Sequence, residues 1–313
     1  MKQQLVSIVI SVFRRPDYLA AAIRSALDQT WVETEIVVAE DGGSDCASGI
    51  VASFLQPDTK LRLIRQSHNV GAAANKLAAW REARGEYIVN LDDDDLLEPG
   101  FVEALLPPLL SDSSLVLSFC DHFIVDSRGR IDSPATEENT RIWKRGNLSP
   151  GAHRPFLRQG LVDRSIPFAM GALWCRTRLD LNDFRIEAGP SYDLFMTYVA
   201  ARTGLGAYYI PRRLTKYRVH PGMETRTGSE RIHRANIFIN KRFIADPALA
   251  EWRHVFVARL SEAYAGLGVV KLRARHRWGA GMNFLKSIWT RPTRRALVGF
   301  VRCGFPNGPE RVY

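Results

Sequence analysis

The feature that most constrains the fold is an alternation of short apolar runs with helical stripes over about the first 120 residues. Residues 5–13 are almost continuously apolar, as expected of a parallel strand covered on both faces. Four further strands are predicted at residues 35–39, 61–65, 87–91 and 115–119. Between them, apolar residues recur at helical spacing. This alternation predicts an α/β fold with an open, mostly parallel sheet flanked by helices.

The remaining elements are less regular. Residues 71–84 predict an alanine-rich helix that Gly85 closes as its C-terminal cap. Residues 132–164 are polar and contain several Pro and Gly, which predicts a long surface loop. A helix is predicted over residues 192–201, and from Arg231 onward only helical patterns occur. The chain therefore predicts an α/β sheet domain followed by a C-terminal helical extension.

Positive charge is concentrated in the C-terminal segment. The 313-residue chain has a net charge of +10, and Arg226 to Tyr313 holds 17 Lys and Arg against 5 Asp and Glu. A basic segment on a near-neutral body predicts an anionic partner, such as a membrane surface, a nucleic acid or an acidic polymer. A solvated basic helix face is the alternative. The 46% hydrophobic and 24% charged content excludes a disordered chain.

Neither a membrane span nor an export signal is evident in the sequence. No run approaches the ~18 consecutive apolar residues that cross a bilayer. The run at residues 5–13 continues into Arg14-Arg15-Pro16 without a cleavage site, which favours a buried strand over a signal peptide. The four cysteines stand far apart without a C-x-x-C pair, which favours a reducing compartment. We therefore expect a cytoplasmic protein.

Acidic side chains follow two of the predicted strands, at the edge where open α/β sheets bind ligands. Asp41 follows the second strand, and Asp92–Asp95 follow the fourth. Four adjacent carboxylates repel one another, so either one is protonated or a cation lies among them. Carboxylate oxygens select hard ions such as Mg²⁺, Mn²⁺ or Ca²⁺. In an extended segment Asp92 and Asp94 share a face; a solvated acidic turn is the alternative.

Five motifs stand in order along the chain: VSIVISVFRR (6–15), EIVVAEDGGSD (35–45), NVG with Lys76 (69–76), GEYIVNLDDDD (85–95) and YRVH (217–220). Together they resemble the family 2 glycosyltransferases of the GT-A fold. The resemblance implies a catalytic domain over residues 1–225, with a nucleotide-binding half at 1–112 and an acceptor half at 113–225. A basic helical region over 226–313 would follow.

The resemblance implies roles for residues around a nucleotide-sugar donor. Val12 and Phe13 would line the nucleoside pocket, and Asp41 would accept a hydrogen bond from the base. Lys76 would face the diphosphate or the donor sugar. His220 would close over the diphosphate or the metal.

The same resemblance implies a metal site in the acidic tetrad. Asp92 and Asp94 would form the DxD pair of the family, with Asp94 the more direct ligand of a divalent cofactor, Mn²⁺ or Mg²⁺. Asn69 and Asp93 would complete the nucleotide-sugar site. Taken singly, His220 is more typical of a structural histidine, and Lys76 of a solvated lysine.

The motifs do not supply the general base directly, because Pro190 and Ser191 stand where many relatives carry a Glu-Asp pair. The nearest carboxylates are Asp193 and Glu187. We assign the base to Asp193, which would project from the first turn of the predicted helix. An Asp that interacts with the free N–H groups of that turn is the alternative.

The resemblance implies an inverting, metal-dependent glycosyltransferase that transfers a sugar from a nucleotide-diphosphate donor, with a UDP-sugar favoured. The acceptor would be a hydroxyl of a polysaccharide or glycolipid in bacterial surface glycan synthesis. A nucleotidyltransferase is one alternative, and a non-catalytic nucleic-acid-binding protein is another. The DxD context disfavours the latter, so we expect no nucleic acid partner.

An apolar stripe near the C-terminus predicts contact with an anionic membrane surface, at the inner face of the cell membrane. Its members fall at helical intervals and are Trp278, Met282, Leu285, Ile288 and Trp289. Basic residues flank and extend it, namely Arg275, Arg277, Lys286, Arg291, Arg294, Arg295 and Arg302. Interfacial helices combine such features. Packing of the stripe against the catalytic domain, or against a second subunit of a homo-oligomer, is the alternative.

Overall fold

The structure, a computed structural model, describes residues 4–42, 45–167, 170–223 and 228–304. The chain divides into two compact units. The first contains the residues up to Ile186 together with Tyr192–His220, and the second contains Glu187–Ser191 and the residues from Pro221 onward. The predicted domain boundary at residue 225 lies outside the described residues.

Within its described residues, the first unit holds a mixed sheet and six α-helices. The strands are β1 Val6–Val12, β2 Thr34–Glu40, β3 Leu61–Arg65, β4 Tyr87–Asp92, β5 Leu96–Leu97, β6 Leu115–Val125, β7 Gly151–His153, β8 Ala172–Cys175 and β9 Gly206–Arg218. The helices are α1 Pro16–Leu27, α2 Ser48–Ser53, α3 Ala72–Glu82, α4 Phe101–Ser111, α5 Ser133–Ile142 and α6 Tyr192–Arg202.

The sheet has the order β3-β2-β1-β4-β8-β6-β9-β5, with β7 paired to β9. Its first four strands are parallel, whereas β8 runs antiparallel to both β4 and β6. In register, Val12 lies opposite Glu40, and Ser11 lies opposite Asp92. The carboxyl ends of β1, β2 and β4 therefore reach one edge. The predicted mostly parallel α/β sheet is confirmed.

β1 shows why a continuous apolar run becomes a central strand. Val6, Ile8 and Val9 are fully buried, so both faces of β1 are covered by the core. The buried Ser7 side chain is satisfied: its Oγ donates to Glu35 Oε1 at 2.5 Å and accepts from the Gly85 amide at 2.8 Å.

The prediction of a long loop over residues 132–164 is wrong. This segment contains α5, β7 and two short helical turns, Arg145–Asn147 and Arg158–Val162. Helix α5 begins because the Asp132 side chain accepts a hydrogen bond from the Ala135 amide at 2.9 Å and Pro134 lies in the first turn. The polar composition concealed this start signal.

Gly85 does not cap a helix, so that prediction is also wrong. Helix α3 ends at Glu82, and Ala83 is already extended. An added Cβ at Gly85 would lie 2.7 Å from the Leu5 carbonyl oxygen and 2.7 Å from Ser7 Oγ. Gly85 is needed because the chain passes directly against β1 before it enters β4.

The second unit is helical, as predicted. Its helices are α7 Glu230–Ala245, α8 Arg253–Arg273, α9 Arg277–Thr290 and α10 Arg294–Gly304. Ser261 Oγ and Ser287 Oγ lie 2.9 Å apart and join α8 to α9. Among the described residues, no helix combines the length and apolar character that a membrane crossing requires.

Candidate active site

An acidic turn at the end of β4 forms the centre of the site. Strand β4 ends at Asp92, and the Asp95 amide donates to the Asp92 carbonyl at 3.2 Å. The turn brings carboxylate oxygens of Asp92, Asp94 and Asp95 within 4.8 Å of one another. Asp92 and Asp94 therefore meet as predicted. Asp95 joins them because the chain turns after Asp92 and does not stay extended.

Arg15 is the main cation that sequence reasoning missed. Its guanidinium lies 2.7 Å from Asp94 Oδ2 and 3.0 Å from Asp93 Oδ1. Burial lowers the pKa of Arg15, but Asp93 and Asp94 outweigh it and the pKa is raised overall. Arg15 stands just after β1, so the register of β1 with β4 delivers it to the acidic turn. Arg15 is the last residue of the VSIVISVFRR motif at residues 6–15, so the sequence motif already included it.

Lys76 and His220 contact the same turn from two other elements. Lys76 Nζ, on buried α3, lies 2.5 Å from Asp92 Oδ1 and 5.2 Å from the centre of the Tyr192 ring. His220 follows β9, and its Nε2 lies 2.9 Å from Asp94 Oδ2. Both residues were predicted at this site, and the structure places both beside the carboxylates.

Arg218 fixes the shape of the acidic turn. Its amide donates to Asp95 Oδ1 at 2.9 Å, and its Nε donates to the Asp94 carbonyl at 2.8 Å. The guanidinium also lies 4.7 Å from the centre of the Tyr18 ring, which in turn contacts the His220 ring at 5.0 Å. Sequence reasoning gave no role to Arg218, although it stands within the YRVH motif.

The electrostatics of the turn fit a bound divalent cation. Burial raises the pKa of Asp93 to about 8, with Asp94 and Asp92 adding to the effect and Arg15 opposing it. Burial and the neighbouring carboxylates raise the pKa of Asp95 well above its usual range. Asp93 Oδ2 and Asp95 Oδ2 are buried and accept no hydrogen bond from the described residues. The turn therefore holds more acceptor oxygens than its cations satisfy.

Asp41 and Asn69 organise the loop that precedes α3. Asp41 is buried after β2, and its two carboxylate oxygens accept from the Val70 amide at 2.7 Å and the Gly71 amide at 3.0 Å. Asn69 Oδ1 accepts from the Gly71 amide at 3.1 Å. Gly71 has φ +85°, which favours glycine. A carboxylate offers about four acceptor positions, so Asp41 keeps room for a ligand.

Val12 and Phe13 lie at the end of β1, next to Asp41. The Asp41 amide donates to the Val12 carbonyl at 3.0 Å, and the Val12 side chain is buried. Phe13 is half-buried, and the Arg14 guanidinium lies 5.1 Å from the centre of its ring. The predicted nucleoside-pocket residues are thus adjacent to the carboxylate predicted to read the base.

Asp193 directly follows Tyr192, and the Tyr192 side chain contacts the acidic turn. The Tyr192 hydroxyl donates to Asp92 Oδ1 at 3.3 Å. Asp193 is half-buried, and its Oδ1 accepts from the Leu194 amide at 2.7 Å. Burial raises the pKa of Asp193, with the negative charge of Asp92 adding to it and the Leu194 amide opposing it. Glu187, by contrast, is exposed and belongs to the second unit.

Comparison with known proteins identifies the family of the chain. A profile of the family described as "Glycosyl transferase family 2" matches residues 7–172, slightly more than half of the chain. EpsH of Bacillus subtilis is 30% identical over 225 residues, which are 70% of this chain and 62% of EpsH. The chain spans only 34% and 19% of the length of two further curated relatives.

Two solved structures share the fold. TarS 1-349 of S. aureus in complex with UDP-GlcNAc has a TM-score of 0.65 and 13% identity, over 96% of this chain and 89% of that one. The mannosyltransferase PcManGT from Pyrobaculum calidifontis, in complex with GDP-Man and Mn²⁺, has a TM-score of 0.56 and 14% identity, over 98% and 88%. With its sheet, its acidic turn and this profile match, the chain belongs to glycosyl transferase family 2 and has the GT-A fold.

Proposed function

We propose that the chain is an inverting glycosyltransferase that moves a sugar from a nucleotide-diphosphate donor, favouring a UDP-sugar, to an acceptor hydroxyl. The acceptor is a polysaccharide or glycolipid of bacterial surface glycan synthesis. One observation carries the proposal: Asp92, Asp94 and Asp95 converge within 4.8 Å at the end of β4. The UDP-GlcNAc of TarS and the GDP-Man of PcManGT support a nucleotide-sugar donor.

The donor binds in the nucleotide-binding half, over residues 1–112, and the acceptor in the half over residues 113–225. Val12 and Phe13 line the nucleoside pocket. Asp41 accepts a hydrogen bond from an imide N–H of the base. The Val70 and Gly71 amides hold its carboxylate in place, at 2.7 and 3.0 Å, before the nucleotide arrives. This preorganisation reduces the entropy lost on binding.

The diphosphate lies at the acidic turn. Asp94 and Asp92, together with Asp95, would hold a divalent cation, Mn²⁺ or Mg²⁺. Such an ion would supply positive charge that stabilises the diphosphate as a leaving group. Arg15 and Lys76 supply charged hydrogen-bond donors at the same place, and such donors bind phosphate oxygens strongly. The His220 ring lies beside them.

Asp193 acts as the general base. It takes the proton from the acceptor hydroxyl while the acceptor oxygen attacks the anomeric carbon of the donor sugar. The bond between that carbon and the diphosphate oxygen breaks, its electron pair leaves with the nucleoside diphosphate, and the anomeric configuration inverts. Burial that raises the pKa of Asp193 brings the carboxylate closer to the pH at which a base works best.

A turnover assay on the full chain tests the proposal. Incubation with UDP-, GDP- and dTDP-sugars in Mn²⁺ is expected to release nucleoside diphosphate from one donor class, with UDP first. EDTA and Asp94→Asn are expected to abolish the release. The matched control Asp58→Asn removes an exposed carboxylate far from the turn in sequence and keeps full turnover. Release of pyrophosphate from nucleoside triphosphates would instead identify a nucleotidyltransferase and contradict the proposal.

A further inference from the structure

The second unit presents an apolar surface to solvent on helix α9. Trp278 and Trp289 are 78% and 87% exposed, and Met282 between them is 37% exposed. The two tryptophans stand eleven residues apart, about three helical turns, so their side chains share one face. A surface helix of a globular protein ordinarily turns its polar face outward. Helix α9 instead exposes these three large apolar side chains.

The buried face of α9 makes specific contacts, and these contacts place Trp278 and Trp289 on the outer face. Gly279, Ala280 and Phe284 are buried on that face. Ser287 Oγ donates to the Ser261 carbonyl at 2.8 Å, which ties the same face to α8. The rotation of α9 about its axis is therefore fixed by contacts that leave both tryptophans outside.

Helix α10 extends the exposed apolar area. Its buried residues are small, Ala296 and Gly299, whereas Leu297, Phe300 and Val301 are exposed. An added Cβ at Gly281 would lie 4.0 Å from the Phe300 ring, so α10 lies beside the turn of α9 that carries Met282. We call the six exposed side chains the α9–α10 surface: Trp278, Met282, Trp289, Leu297, Phe300 and Val301.

The charge around this surface specifies what it can contact. Between Glu262 and Glu310 the sequence contains nine Lys and Arg and no Asp or Glu. Lys286, Arg295 and Arg302 are exposed on the two helices. A second copy that docked through the same surface would bring like charges together, which is unfavourable. Nucleic acid would satisfy the arginines but would leave Leu297 and Val301 without an apolar partner.

We propose that the α9–α10 surface docks on an anionic lipid bilayer. Tryptophan side chains favour the boundary between hydrocarbon and headgroups. The aliphatic side chains of α10 enter the acyl region, while the arginines bind lipid phosphates. An anionic bilayer offers apolar depth and negative charge in the same place, and the surface needs both. The inference concerns where the protein resides and stands independently of the reaction assigned to it.

Vesicle flotation with the full chain tests this inference. Vesicles of phosphatidylcholine with phosphatidylglycerol are expected to bind the protein at least ~10-fold more tightly than phosphatidylcholine alone, and added salt weakens that binding. Trp278→Ser/Trp289→Ser is expected to lower binding at least ~10-fold with an unchanged Tm, because both side chains are exposed. The matched control Val32→Ser/Leu55→Ser removes exposed apolar side chains of the first unit and keeps the binding.

Four outcomes would overturn the inference. The first is failure to bind either kind of vesicle, and the second is equal binding to both. The third is a self-associated species in sedimentation equilibrium that the double tryptophan variant dissociates, since that identifies a second copy as the occupant. The fourth is salt-sensitive binding of a single-stranded oligonucleotide that the same variant abolishes, since that identifies a nucleic acid surface.

Discussion

The first unit buries charged side chains, whereas the second exposes large apolar ones. Asp93 and Arg145 of the first unit are 0% and 2% exposed, while Trp278 and Trp289 of the second are 78% and 87% exposed. Buried charges are costly without partners, and exposed apolar patches are unusual without a covering surface. The first unit thus departs from the ordinary placement of side chains by burying charges, and the second departs from it by exposing large apolar groups. Arg145 is paired with Asp121, whereas Asp93 lies in the acidic turn proposed to bind a cation, and the two tryptophans lie on the surface proposed to bind a bilayer.

The largest expected effect is a loss of turnover when the proposed general base of the first unit is removed. Asp193→Asn is expected to lower turnover by ~10²–10⁴, the usual contribution of a general base, while nucleotide affinity stays nearly constant. Steady-state kinetics and calorimetry measure the two quantities separately.

Glu187→Gln is the matched control for Asp193, because Glu187 is exposed and lies outside the first unit. It is expected to keep full turnover. Loss of turnover in Glu187→Gln together with full turnover in Asp193→Asn would show that the base is assigned to the wrong carboxylate.

A pair of substitutions on α9 sharpens the contrast between its two faces. Phe284→Ala is expected to destabilise the protein by ~3–5 kcal/mol, because the ring is fully buried. Trp289→Ala is expected to change stability by ~0.5 kcal/mol or less, as at ordinary surface positions. Urea unfolding measures both. Similar losses in the two variants would mean that the tryptophan face is covered in the folded protein.

Gly85 tests how tightly the parallel half of the sheet is packed. Gly85→Ala is expected to destabilise by ~1–3 kcal/mol, because its Cβ would overlap the backbone of β1. Gly49→Ala is the control: it lies in α2 with nothing within 4 Å of an added Cβ, so a gain of ~0.5–1 kcal/mol is expected. Thermal unfolding compares them, and an unchanged Tm in Gly85→Ala would contradict the packing.

The buried charges of the first unit predict an acid sensitivity. Burial, with the neighbouring Arg145, lowers the pKa of His122 to about 3 from an ordinary 6.5. Between these values the unfolded chain binds more protons than the folded one, so stability falls as the pH falls through this window. From pH 7 to 5 the loss due to His122 is ~2 kcal/mol at most.

His122→Gln removes this titration while keeping an acceptor for Arg145, whose Nη2 lies 3.4 Å from His122 Nε2. Urea unfolding at pH 7 and pH 5 is expected to show a smaller acid loss in the variant than in the parent. The same loss in both would contradict a neutral, buried His122.

The parallel half of the sheet was predictable because its signals are local. Apolar runs at residues 5–13, 35–39, 61–65 and 87–91 became β1 to β4, and the edge rule for parallel strands placed Asp41 and Asp92–Asp95 together. Arg15, and the contribution of Asp95 to the cluster of Asp92 and Asp94, were not predicted because their signals are not local. Asp95 reaches the cluster through a turn, and Arg15 reaches it through strand register across 79 residues.

The second unit shows what periodicity leaves undetermined. The stripe from Trp278 to Trp289 was read as one helical face, and the structure confirms a helix there. Periodicity did not decide whether that face turns inward or outward. The buried residues of α9 on the other face include the small Gly279 and Ala280 together with Phe284, and Trp278 and Trp289 are left outside.

The most direct test of the central claim is calorimetry of UDP binding. Mn²⁺ is expected to strengthen UDP binding to the full chain, and both EDTA and Asp94→Asn are expected to remove the gain. Asp58→Asn, which removes an exposed carboxylate, is expected to bind UDP in Mn²⁺ as tightly as the parent. Equal UDP affinity in Mn²⁺, in EDTA and in Asp94→Asn would contradict the assignment of the acidic turn as the metal and diphosphate site.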